Sequence, residues 1–176
     1  MPGHVTRLIP ADPNVLATGV RAPCACCGAV LPGGDDGCRA AFGEVLAREF
    51  SDRAYGAVHL LTVDAHALQH SEWHGPRSNA VHLMRLGWLI ERGGGAAIGS
   101  RGPLEDIAKR GPLEGWPFLA PPVARGEVTI ADVYAAQDVA EHATIVRRWA
   151  ESVWAAWSEH HAWARARLAG LIEEKR

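Results

Sequence analysis

From Asp138 to about Glu174 the chain has no proline and only one interior glycine, Gly170. Along this stretch His142, Val146, Trp149, Val153, Trp157, His160, Ala164, Leu168 and Leu171 recur at steps of three and four. Such a period predicts one long amphipathic helix with that stripe turned inward. A stripe this long must be buried against other helices, so a mainly α fold follows: a small helical bundle with a long C-terminal helix.

The remaining segments supply the partners. A helix is predicted from about Cys38 to Phe50, with Phe42, Leu46 and Phe50 near one face. Ser51 and Asp52 interrupt it and can cap a second helix from about Arg53 to His70. Ser78 is a candidate cap for a third helix, "NAVHLMRLGWLIERG", which ends at Gly93, Gly94 and Gly95. Between 93 and 128 a short helix is expected in "SRGPLEDIAKRG". "GWPFLAPP" should be extended there, because each proline biases its predecessor away from helix. Trp116, Phe118 and Leu119 would lie across the core as a clasp. Thr129 and Asp132 form a capping pair for "IADVYAAQ". Residues 1–37, rich in Gly, Pro and Cys, show neither helical nor strand period. They read as an irregular segment organised around the cysteines and packed on a bundle spanning 38–174, all within a single domain, 1–176.

Charge and composition narrow the function. With 176 residues and 48% hydrophobic content the chain can bury a sizeable core. A net charge of -2 argues against nucleic acid and gives no pull toward an anionic membrane. No apolar run is long enough to span a bilayer. The opening "MPGHVTRLIPADPN" lacks the apolar centre of a secretory signal, so a cytoplasmic protein is expected.

Histidines recur on the apolar faces of three helices. In "VHLLTVDAHALQH", residues 58–70, a helix turns about 100° per residue and places His59, Val63, His66 and His70 within an arc of about 60°. Asp64 lies about 140° from His59 by the same geometry. His82 shares a face with Leu86 and Leu89; on the last helix His160 sits near the centre of the stripe and His161 at its edge. Facing helices of a bundle can converge such side chains on a metal or cofactor. A lone inward histidine, by contrast, is ordinarily a hydrogen-bonded core residue. His59 and His70 are separated by about 16 Å of rise and cannot share one ion. His59 is therefore expected deeper in the bundle, near Asp64 or the last helix. His70 and His82 should share a metal or a hydrogen-bond network near the cysteine end.

All four cysteines fall within residues 24–38: Cys24, Cys26, Cys27 and Cys38. In a reducing cytosol clustered thiols bind metal or do redox chemistry. "CACCG" holds Cys24-x-x-Cys27-Gly28, the turn of a zinc knuckle, in which the glycine lets the backbone amides face sulfur. Cys38 would add a third thiolate. The fourth ligand is left to Cys26 or a distant histidine, with His70 and His82 the best candidates. A redox site of thioredoxin type would need a βαβ setting that this chain does not show. No phosphate-binding glycine loop, GxSxG elbow or HExxH helix is present.

Several phrases together, "CACCGAVLPGG", "YGAVHLLTVDAHALQH", "SNAVHLMRLGWLIERG", "WPFLAPP" and "VRRWAESVWAAWSEHHAWAR", resemble a bacterial family, domain-of-unknown-function family 5946, from about Cys24 to Arg167. The resemblance implies no reaction. It implies a pattern: the CxxCG knuckle, Asp64 with Gln69 and His70, His82, and Trp149 through His161. The family usually has tyrosine at the position of His66, which shifts weight to His70 and His82.

Three functions fit these residues. The first is a small metal-binding helical protein with zinc as the expected ion, and with Cys24, Cys27, Cys38 and His70 or His82 as ligands. If one zinc position were open, the protein would be a metal-dependent hydrolase or transferase with His59, Asp64, His160 and His161 as acid/base candidates. The second is a zinc-stabilised module that docks a protein or nucleic acid, with Trp154 and Trp163 as its available anchors. The third is a bundle enzyme with a histidine-only metal site. The expected partner is a small molecule or a protein.

Overall fold

The computed structural model describes residues 14–93, 96–98 and 116–173, with side chains to 170. The chain order is helix α1 (Val15–Thr18), strands β1 (Arg21–Pro23) and β2 (Val30–Pro32), and helices α2 (Asp35–Ser51), α3 (His59–Gln69) and α4 (Pro76–Arg92). After residue 116 come α5 (Ile130–Tyr134), α6 (Val139–Ala156) and α7 (His161–Glu173). Single 3-10 turns precede α3, α4 and α7, at Tyr55–Val58, Ser71–Trp73 and Ser158–His160. The architecture is mainly helical with a small N-terminal hairpin. No helix among the described residues is long and apolar enough to cross a membrane.

Helix α3 is central and packs on α4 and α6, while α7 packs on α4 and α5 on α2. The inward stripe of α6 is as expected: His142, Val146, Trp149 and Val153, followed by Trp157 at the helix end, are all fully buried. Trp149 and Trp157 are the largest side chains in that core. Gln69 of α3 fixes the 125–128 segment over it. Its amide donates to the carbonyls of Arg125 (3.0 Å) and Val128 (2.9 Å) and accepts from Trp149 Nε1 (2.9 Å). Every polar atom of the buried amide is thereby satisfied, as burial requires.

Five local expectations change. The irregular N-terminal segment contains an antiparallel hairpin, Arg21 opposite Pro32 and Pro23 opposite Val30. It is too short to show a strand period. Helix α2 buries Cys38, Ala41, Val45 and Glu49 rather than the face of Phe42, Leu46 and Phe50, and Phe50 is exposed. Ser78 does not cap α4; Gly75 is the N-cap and Pro76 opens the helix, where its missing N–H costs nothing. At the other end Gly93 closes α4 in the left-handed region, φ 62°. In the clasp Leu119 is buried but Phe118 is exposed.

The fifth change is the C-terminal helix, which is broken between Ala156 and His161. The reason is a side chain. His161 Nε2 donates to the carbonyl of Trp154 at 2.8 Å, taking an acceptor that a continuing helix would use, and its ring stacks on Trp154 at 3.6 Å. Trp157 N bonds both Val153 O and Trp154 O, and the turn tightens to 3-10. Trp154 is consequently buried, not an available anchor. The short helix expected at 100–111 lies outside the described residues, as does the side chain of Leu171.

Candidate metal centre

The two strands of the hairpin are joined by residues 24–29, "CACCGA". Cys24 N donates to Ala29 O and Gly28 N to Cys24 O, both at 2.9 Å, which closes the loop on itself. The reversal needs Gly28 at φ 76°, a region an L side chain avoids. Asp35, the first residue of α2, accepts from Ala25 N at 2.7 Å and ties the loop to the helix. Gly37 lets α2 abut the hairpin: a Cβ there would stand 1.9 Å from Pro32 O. Cys38 follows in the first turn of α2, where the partial positive charge of a helix N-terminus favours a thiolate.

His70 arrives from the far side, as the residue that ends α3. Its Nε2 lies 3.5 Å from Cys24 Sγ and 3.3 Å from Cys38 Sγ, and Cys27 Sγ lies 3.7 Å from Cys38 Sγ. The four ligand atoms are all within 4.8 Å of one another. Around a tetrahedral zinc with bonds of about 2.3 Å to sulfur and 2.0–2.1 Å to nitrogen, neighbouring ligand atoms stand about 3.5–3.8 Å apart. The His70–Cys24, His70–Cys38 and Cys27–Cys38 separations agree with those edges to within about 0.3 Å. A disulfide would need two sulfurs at about 2.05 Å, and all four cysteines are free. These residues could therefore hold a metal ion such as zinc.

The chemistry of the donors points the same way. His70 Nδ1 lies 2.7 Å from the carbonyl of His66 and donates to it, which leaves the Nε2 lone pair facing the sulfurs. Without a cation the three thiols cannot all ionise. Hydrogen bonds from Cys27 and Cys38 hold Cys24 well below the usual thiol range. Its hydrogen bond to Cys24 pushes Cys27 up to about 12. Cys38 is raised by its hydrogen bonds to Cys24 and Cys27 and by burial. A bound dication would replace the shared protons and let all three sulfurs ionise. Cys26 points elsewhere: it is half-buried and not part of the cluster, and burial raises its thiol to about 11.

His82, the other candidate ligand, is not in the group. Its Nδ1 lies 2.7 Å from Asp64 Oδ1, and Arg85 grips the same fully buried carboxylate in two-pronged fashion, with Nε–Oδ2 at 2.9 Å and Nη2–Oδ1 at 2.5 Å. His82 does approach α3 from α4, but through Asp64. His66 is buried, with its ring stacked on Phe42 at 3.7 Å and on His70 at 4.1 Å.

The acid/base candidates are not brought together. His59 Nδ1 bonds Glu49 Oε2 at 2.8 Å, and His142 Nε2 and Thr62 Oγ1 bond Glu49 Oε1 at 3.1 and 2.5 Å. His59 thus lies by α6, in a polar cluster separate from the cysteines and separate from Asp64. His160 Nε2 donates to Ala120 O at 2.8 Å and holds the 116–122 strap, while His161 bonds Trp154 O at the helix break. Sequence reasoning missed Glu49 altogether. The one available signal was a glutamate at the i+4 position from Val45, on a face that also carries Ala41 and Cys38.

The family whose model matches this chain, over residues 22–158, is described as a family of unknown function (DUF5946). No curated protein and no solved structure matches it.

Proposed function

This chain belongs to the family of unknown function DUF5946, and on that premise we propose that it is a zinc-binding helical protein whose ion is a structural staple. The observation that carries this reading is the convergence of Cys24, Cys27, Cys38 and His70 at tetrahedral spacing. Three sulfurs and one imidazole fill the coordination that zinc prefers, and they leave no position for water. A closed site contributes to folding rather than to water activation. Its place in the fold agrees: the ligands come from the hairpin, the first turn of α2 and the end of α3, so one ion fastens three elements.

The test is zinc analysis and melting of untagged protein and of Cys24→Ser and Cys27→Ser. Wild type should carry about one zinc per chain and each variant should lose both metal and stability, since binding energy here is folding energy. Full metal content with unchanged melting in both variants would overturn the assignment.

A further inference from the structure

A cleft lies between α4 and α7 and shares no residue with the metal centre. It holds about 150 Å³, the size of an apolar cavity that takes one benzene ring. Buried Met84 and Trp154 form its floor, and half-buried Trp88 and Leu168 form its walls. The exposed charged residues Glu91, Arg92 and Arg165 stand at its rim.

The floor is held in place before any ligand arrives. Trp154 lies on α4 where Gly87 has no side chain; a Cβ there would stand 2.5 Å from the indole. The His161 ring stacks on the same indole at 3.6 Å and fixes its orientation. A ring entering the cleft meets indole and the Met84 thioether, both of which favour a flat, polarizable partner.

The rim selects the charge. Arg165 donates to both oxygens of Glu91, with Nε–Oε2 at 3.1 Å and Nη2–Oε1 at 2.6 Å, so this pair fastens α7 to α4 and occupies both side chains. Arg92 donates no hydrogen bond among the described residues. Its planar guanidinium matches a carboxylate through two parallel N–H···O bonds. Two guanidiniums against one carboxylate leave the rim one positive charge, which suits a monoanion. A dianion such as a phosphate ester would also face Glu91 and be repelled.

We infer that the cleft between α4 and α7 binds a small aromatic carboxylate, with its ring over Trp154 and its carboxylate on Arg92.

The experiment titrates zinc-loaded, full-length, 15N-labelled protein with sodium benzoate, benzamide and sodium acetate, each at constant pH and ionic strength. Benzoate should give saturable shifts in the amides of 84–92 and 164–169 and in the indole N–H signals of Trp88 and Trp154. Benzamide keeps the ring without the charge and should bind about tenfold more weakly, the worth of one charge-assisted hydrogen bond. Acetate keeps the charge without the ring and should give no saturable shift. Arg92→Gln, an exposed substitution that leaves the fold intact, should bind benzoate no more tightly than benzamide. Ala169→Glu places a carboxylate in the lining at an exposed position four residues from Arg165, where opposite charges support the helix. It should weaken benzoate by at least about tenfold and leave benzamide unchanged. The inference is overturned by no saturable shift with benzoate, by benzamide or acetate binding as tightly as benzoate, by an undiminished preference for benzoate in Arg92→Gln, or by unchanged benzoate binding in Ala169→Glu. Zinc content is read in the same samples, so failure of the staple is seen separately.

Discussion

His70 donates Nδ1–H to the carbonyl of His66, one turn back on the same helix, at 2.7 Å. That bond orients the ring and assigns its nitrogens: one belongs to the backbone and the other to the sulfurs. Outer contacts of this kind change metal affinity by about 10–100-fold when removed, so loss of the ligand itself should cost more. His70→Ala should lower zinc affinity by over about a hundredfold, measured by competition with a chromophoric chelator. His70→Cys should keep a zinc in a four-sulfur site. Equal affinity of the alanine variant and wild type would remove His70 from the ligand set.

Gly37 touches the same centre through the backbone. A methyl group there would meet Pro32 O at 1.9 Å, and a carbonyl oxygen cannot swing aside like a side chain. Gly37→Ala should therefore push the hairpin off α2, in spite of alanine's better helix propensity. The expected result is lower melting and faster release of zinc to a chelator, since Cys38 is the next residue. Unchanged melting would mean that the hairpin and helix do not meet as described.

Glu49 governs the acid limb of stability. Burial alone would raise its carboxyl, but hydrogen bonds from His142, His59 and Thr62 outweigh it, and the group lies below its ordinary value of 4.5. A carboxyl depressed on folding contributes stability that is present above the unfolded pKa and is lost as pH falls through the folded one. Glu49→Gln should therefore be destabilised at neutral pH and show a shallower decline between about pH 5 and pH 3 than wild type. Glu49→Leu, which strands three buried donors, should cost about 3–5 kcal/mol at pH 7. Urea unfolding across that pH range, at matched zinc content, separates this effect from protonation of the thiolates. Parallel pH profiles would show that the carboxylate is not depressed.

Trp149 combines core volume with a hydrogen bond to Gln69. Trp149→Ala should cost about 3–5 kcal/mol. Gln69→Leu should cost about 1–3 kcal/mol, because Trp149 Nε1 and two loop carbonyls lose their partner. In the Trp149→Ala background the Gln69 change should cost less, since one of those partners is already gone. Strict additivity in chemical denaturation would show the two residues to be uncoupled.

The helical class, the three helix partners, the Thr129–Asp132 capping box and the inward stripe through Trp149 were all legible in the sequence. These depend on contacts three or four residues apart, so the pattern of neighbours determines them. The cysteine spacing likewise announced the knuckle, because the Cys24–Cys27 turn is local. What the sequence left open was decided by packing between distant segments. His70 and His82 were equal candidates by type and position; only the entry of α4 sets His70 on the sulfurs and His82 on Asp64. Glu49 looked like an ordinary helix surface residue until α3 and α6 closed over it with two histidines. The break after Ala156 comes from an imidazole that competes for a backbone carbonyl, an event no periodicity records. Local order is written in short-range sequence because few atoms can satisfy each backbone group there. The partners of a buried polar side chain are chosen among many residues, and only the assembled core selects them.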